Sequence, residues 1–187
     1  MAVKVYIDQG HNPVNPNAGA EGNGYREQDL VYEIGQRLAE ILQANGFETR
    51  LSRPFPDTQL GTSTATSLAA RVNDANYWGA DYFISLHTNA SVLPTATGSE
   101  AYVFRTDTTA ASLAQSVLKQ LQYATGLPDR GVFARPTLYV LRRTRMPAVL
   151  LEMGFISNPY DAALMAGQPW LFANGIANGI LAFLGML

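Results

Sequence analysis

The stretch that most constrains this chain is Pro147 to Asn158, which reads PAVLLEMGFISN. Ala148, Val149, Leu150 and Leu151 form a continuous apolar run, and Glu152 follows at once. A short apolar run bounded by loop signals fits a strand buried on both faces, as in a parallel sheet. A carboxylate at the end of such a strand must be paired, metal-bound or poised for chemistry, because burying a bare charge is very costly. In open α/β sheets the carboxyl ends of the strands are where ligands bind. Two more strand-like runs lead into groups suited to a site. Val3 to Asp8 continues through Gly10 into His11, and Tyr82 to Leu86 stops at His87; these are the only two histidines of the chain.

The remaining segments read as a frame for those strand ends. After the first strand, Gln9 to Tyr25 holds Gly10, Pro13, Pro16, Gly19, Gly22 and Gly24, a long irregular loop of the kind that is usually functional or mobile. Leu30, Val31, Ile34, Leu38, Ile41 and Leu42 then fall at helical spacing, which predicts a helix over about 26–45 with Gly46 at its stop. Phe47 to Leu51 reads as a second strand. Thr66 or Ser67 is placed to cap a helix that stops at Gly79. Gly98 to Phe104 reads as a strand, Thr109 to Thr125 as a helix, and Leu138 to Leu141 as a short strand. Leu164 belongs to a short helix, and Trp170 to Leu184 forms the last one. Strands alternating with amphipathic helices predict a single α/β domain over 1–187: a mostly parallel twisted sheet of about six strands with helices on both faces. Right-handed crossovers then put His11, His87 and Glu152 at one sheet edge.

Composition narrows the chemistry. The formal net charge of -2 and the lack of any dense Lys/Arg run give no footprint for nucleic acid. The short cluster Arg142, Arg143, Arg145 reads as a solvated loop after a strand. With no cysteine, disulfides and thiolate metal sites are excluded, so any transition-metal site must use His, Asp and Glu. No apolar run approaches the roughly 20 residues that span a bilayer. The first residues enter a strand directly without the pattern of a signal peptide.

A lone histidine after a strand is more often a hydrogen-bonded structural residue than a ligand. Two, each ending a strand at the same edge, shift the balance. Two His and one Glu are a known ligand set for catalytic zinc, with a fourth position left to water. Asp8, Glu21, Glu27, Asp29 and Glu152 are the acids available to complete it. For Glu27 the plainer reading is a favourable charge in the first turn of a helix.

These segments resemble, in order and over nearly the whole chain, the zinc-dependent N-acetylmuramoyl-L-alanine amidases of bacterial cell-wall turnover and phage lysis. Val5 to His11 (VYIDQGH) is similar to the family's strand with the first zinc histidine, and Glu27 matches its glutamate ligand. Thr49 to Arg53 and Arg71 to Asn76 look like the second strand and the helix before the third. Ser85 to Ala90 (SLHTNA) matches the segment with the second histidine, and Glu152 to Asn158 (EMGFISN) the segment with the catalytic glutamate. The departure is at Gln9, Asn12 and Pro13, where the family more often has Pro and Gly-Gly around the histidine.

The resemblance implies one Zn²⁺ held by His11, Glu27 and His87, with Glu152 as the catalytic acid/base. It implies a peptidoglycan substrate, cut at the amide between muramic acid and L-alanine. Asp8 and Asn89 read, from position alone, either as partners that orient the histidines or as strand-end and loop hydrogen-bonding groups. The Asn89 to Gly98 loop is too short for the inserted helix that blocks zinc in some relatives, so an open site is expected. The expected place of work is the bacterial cell wall, reached by lysis or a holin, or as a domain cut from a secreted parent. No wall-binding repeat is present, which leaves room for a separate targeting domain in a longer parent chain. Two rival readings are a zinc peptidase or carboxypeptidase, with an arginine among Arg142, Arg143 and Arg145 for a carboxylate, and a non-catalytic wall-binding module.

Overall fold

Val5, Ile7, Ile84, Leu86, Val149 and Leu151 point to one side of a central sheet, while Tyr6, Phe83, Ala148 and Leu150 point to the other. This is the period-two alternation of strands buried on both faces. The computed structural model describes residues 2–187. In chain order the elements are β1 (Lys4–Gln9), β2 (Glu21–Gly22), β3 (Tyr25–Arg26), α1 (Glu27–Ala44), β4 (Glu48–Leu51), α2 (Thr64–Trp78) and β5 (Tyr82–Asn89). There follow β6 (Ser99–Val103), α3 (Thr109–Thr125), β7 (Asp129–Ala134), α4 (Tyr139–Arg143), β8 (Ala148–Phe155), α5 (Pro159–Gly167) and α6 (Pro169–Phe183).

The main sheet has six strands in the order β4-β1-β5-β8-β6-β7, and β2 and β3 form a small separate hairpin inside the 9–26 loop. β4, β1, β5 and β8 run parallel, while β6 is antiparallel to β8 and parallel to β7. The expected architecture therefore holds, with the last two strands reversed. One face carries the larger core, made with α1, α3 and α6 through residues such as Ile34, Leu38, Leu113, Val117, Phe172 and Ile176. The other face carries a smaller core with α2 and α4, made by Val72, Ala75, Val140 and Leu141. On that smaller face the alternation continues toward the carboxyl ends of the parallel strands as a polar row: Asp8 after Tyr6, Ser85 and His87 after Phe83, Glu152 after Leu150.

Two local expectations are corrected, and one strand is added. Leu138 to Leu141 is not a strand: Leu138 precedes the short helix α4, whose last turn holds Arg142 and Arg143. Four apolar residues in a row fit either element, and here only Val140 and Leu141 are buried. Helix α2 starts earlier than Thr66, because Ser63 caps it. Ser63 Oγ accepts from the Thr66 amide, and the Thr66 hydroxyl oxygen accepts from the Ser63 amide, a reciprocal capping box. Strand β7, a stretch to which the sequence assigns no element, lies at the sheet edge with mostly exposed residues. No helix among the described residues is long and apolar enough to cross a membrane.

Candidate functional site

β1 delivers His11 through Gly10, which has no Cβ for a physical reason. A Cβ there would lie 2.5 Å from the Leu86 carbonyl oxygen and 2.6 Å from His87 Cε1. The glycine lets the chain pass close to β5, where its amide donates to Leu86 O at 3.0 Å. His11 itself has φ of 65°, in the left-handed region that residues with a Cβ rarely occupy. His87 comes from β5, in register opposite Glu152 of β8.

Glu27 opens α1 and turns its carboxylate inward between the two imidazoles. Its Oε1 lies 3.2 Å from His11 Nε2 and 3.1 Å from His87 Nδ1. The carboxylate is buried and held by backbone donors: the Thr88 amide gives to Oε1 and the Ala20 amide to Oε2, each at 2.9 Å. Gly19 makes room for it, since a Cβ there would fall 2.9 Å from Glu27 Oε2 and 3.0 Å from His11 Cδ2. Burial works to raise the Glu27 carboxyl. Hydrogen bonds from both imidazoles and their charges outweigh it and hold the group well below the usual carboxylate range. For His87, burial opposes the charged form, but the Glu27 hydrogen bond and charge prevail and the ring is raised.

These three side chains offer one ligand atom each, all within 4.8 Å of one another. A tetrahedral zinc with bonds of about 2.0–2.1 Å puts neighbouring donor atoms roughly 3.3 Å apart. The separations of 3.1 and 3.2 Å between Glu27 Oε1 and the two imidazole nitrogens are close to that spacing. Two imidazole nitrogens and a carboxylate oxygen are also the donor set of hydrolytic zinc centres. Both rings keep about a fifth of their side-chain surface exposed (21% and 19%), so the site opens to solvent.

Glu152 sits beside this group with a different environment. Its Oε2 is buried with no hydrogen-bond partner. Burial pushes its carboxyl up to about 7, with the charges of Glu27 and Glu100 adding to the rise and His87 opposing it. A carboxyl raised in this way, beside a group that could hold a metal ion, has the proton affinity that a general acid/base needs near neutral pH.

The structure thus brings His11, His87 and Glu152 together, as the strand ends led one to expect, and adds Glu27, the acid that the family resemblance singled out. It does not use Asp8 or Asn89 on the histidine rings. Asp8 Oδ1 accepts from Arg71 and its Oδ2 from Ser85 at 2.7 Å, whereas Asn89 donates to Glu100 at 2.8 Å. Glu100 was not singled out in the sequence. It is a Cα partner of Glu152 across the antiparallel β6–β8 ladder and accepts from Asn89, Tyr102 and Arg130. Its only signal is a charged residue inside a strand-like run. A cavity of about 130 Å³ adjoins the two histidines and is walled by Leu68, Leu138, Tyr139, Val140 and Leu150. Arg142, Arg143 and Arg145 do not line it.

Two histidines, a clamped glutamate and a second, free carboxyl at the carboxyl ends of the strands form a group that could hold a metal ion on an α/β domain, the donor pattern of hydrolases. Residues 5–182 match the family model described as N-acetylmuramoyl-L-alanine amidase, and the chain belongs to that family. It is 35% identical to the sporulation-specific N-acetylmuramoyl-L-alanine amidase of Bacillus subtilis (strain 168), over 95% of this chain and 67% of that protein. It is 34% identical to the endolysin of Bacillus phage SPP1, over 100% of this chain and 68% of that protein. Among solved structures it is similar to the catalytic domain of CwlV, an N-acetylmuramoyl-L-alanine amidase from Bacillus (Paenibacillus) polymyxa var. colistinus. That similarity has a TM-score of 0.85 and 32% identity, and covers 99% of each chain.

Proposed function

We propose that this protein is a zinc-dependent amidase of peptidoglycan, with His11, Glu27 and His87 holding one ion and Glu152 moving the proton. Amide hydrolysis of N-acetylmuramoyl-L-alanine in the bacterial cell wall is the activity for which its family is named, and members of that family are generally zinc-dependent. The observation that carries the residue assignment is the meeting of His11 Nε2 and His87 Nδ1 on Glu27 Oε1, next to the partnerless oxygen of Glu152.

A zinc ion held there would polarise the scissile carbonyl and acidify the attacking water. The chain's own groups supply the rest. Glu27, kept ionised, contributes negative charge and stays out of proton transfer. Glu152 in its carboxylate form accepts a proton from the water as its oxygen bonds to the carbonyl carbon. It then gives that proton to the leaving nitrogen as the C–N bond breaks, so the lactyl carboxylate and the free α-amine of L-alanine part. A carboxyl near 7 suits both halves of this exchange.

A carboxypeptidase would need an arginine free in the cavity. Arg142, Arg143 and Arg145 lie outside its lining, and Arg71, which lines it, is buried and committed to Asp8 and to backbone carbonyls. A binding module has no use for the partnerless Glu152 carboxyl. The test is digestion of purified peptidoglycan with and without a chelator, followed by mass spectrometry. Stem peptides beginning with free alanine, lost on chelation and restored by Zn²⁺, are expected. Cuts within the stem peptide would overturn the reading.

A further inference from the structure

A metal-bound imidazole is commonly aimed by its second nitrogen, which donates to a carboxylate, a carbonyl or water. His11 has no such arrangement within the protein. Its Nδ1 is buried and meets no side-chain or backbone partner. Asp8, the acid closest to it in sequence, is taken by Arg71 and Ser85. Beyond its contacts with Glu27 and the edge of the His87 ring, the ring is therefore aimed through its backbone, which is itself unusual, with φ of 65°. Such a conformation persists only where its surroundings over-determine it.

The group that surrounds it is the guanidinium of Arg71, on α2, 1% exposed. Its Nη1 donates to the Gln9 carbonyl at 2.6 Å, to Asp8 Oδ1 at 2.6 Å and to Ser52 Oγ at 3.2 Å. Its Nη2 donates to the His11 carbonyl and to Asn12 Oδ1, the latter at 3.3 Å. The two prongs thus bracket Gly10 and fix the carbonyls on either side of it. Asn12 extends the brace by donating to the Pro16 and Leu60 carbonyls at 2.8 and 2.9 Å.

We propose that Arg71 is a positioning residue for the metal centre: its fork holds the left-handed turn at His11 and so aims the imidazole whose Nδ1 has no partner of its own. This rests on the reading of His11, Glu27 and His87 as zinc ligands. The fork shape is what the role requires. A lysine keeps the charge opposite Asp8 but is a single point donor and cannot span both carbonyls.

Zinc affinity, measured on the full chain by competition with a chromophoric chelator, tests this apart from catalysis. Wild-type protein is titrated first; failure to bind zinc there would sink the metal reading itself. Arg71→Lys is expected to bind zinc about 10- to 100-fold more weakly, the range typical of lost outer contacts. The double variant Asp8→Asn/Arg71→Met removes both buried charges, leaves no unpaired ion, and is expected to fold. It is expected to show the same loss of affinity, read also as a smaller zinc-induced rise in Tm. Wild-type affinity in either folded variant overturns the proposal. So does a double variant that fails to fold with saturating zinc, since Arg71 would then be holding the whole domain rather than the turn.

Discussion

Glu152 lies directly opposite His87 across the β5–β8 ladder, the two residues being Cα partners in adjacent parallel strands. Residues in register share a sheet face, so the free carboxyl and an imidazole of the metal-binding group stand side by side with no loop between them. Sites built on strands hold their geometry better than sites on loops. The pairing gives Glu152 a fixed distance from the chemistry, and its consequences are measurable.

Replacing Glu152 by Ala or Gln is expected to lower the rate of peptidoglycan hydrolysis by about 10²- to 10⁴-fold, the usual share of a general acid/base. Zinc content should stay at the wild-type level, because the carboxyl is not one of the three proposed ligands. Initial rates and metal stoichiometry on the same samples check both halves. A rate within tenfold of wild type would take Glu152 out of the proton path.

The metal-free protein should carry a pH signature of the same residue. The Glu152 carboxyl goes from an ordinary 4.5 to about 7 on folding. The folded state therefore holds its proton longer than the unfolded chain, and stability falls as pH rises from 4.5 through 7. The size is about 3 kcal/mol, from roughly 1.4 kcal/mol per pH unit. Glu152→Gln removes the term. Against wild type, the metal-free variant is expected to gain in denaturant stability between pH 4 and pH 8; a constant difference across that range would contradict it.

Zinc is expected to stabilise the wild-type fold by about 3 kcal/mol at a hundredfold excess over Kd. Glu27→Ala, which removes the oxygen both rings face, should lose that response. Thermal melts with and without chelator distinguish the two. An equal shift in the variant would mean that the ion binds elsewhere.

Gly10→Ala probes the close crossing of β1 and β5. The new Cβ meets the Leu86 carbonyl at 2.5 Å, a backbone atom that cannot swing aside. The expected cost is about 1–3 kcal/mol of stability, as for other overpacked sites, with weaker zinc binding because the His87 ring must also move. Urea melts and zinc titration report each effect. Unchanged values in both would show that the strands can separate at this point.

Much of the site was legible because three of its residues, His11, His87 and Glu152, follow apolar runs and the fourth, Glu27, opens an amphipathic helix. Their meeting follows from parallel strands and crossovers. Arg71 and Glu100 were not legible in the same way, since their partners lie far away in the chain: Arg71 on residues 8, 9, 11, 12 and 52, Glu100 on 89 and 130. β7 escaped notice because an edge strand with mostly exposed side chains and Gly131 at φ 103° shows no buried pattern. The α4 helix has five residues, too few to reveal a 3.6-residue period.

The strand order carries a consequence for when the protein becomes active. β8 is the last strand in the chain, yet it sits between β5 and β6, in the middle of the sheet. All three proposed zinc ligands have emerged by His87, while Glu152, the proposed proton carrier, arrives only with β8. A nascent chain stopped short of that strand contains a complete set of metal donors and no acid/base. Its β5 edge also stays open until the late, long-range pairing is made, which is the slow kind of contact in folding. On the proposed assignment, the metal donors and the acid/base come together only when β8 is threaded into the sheet.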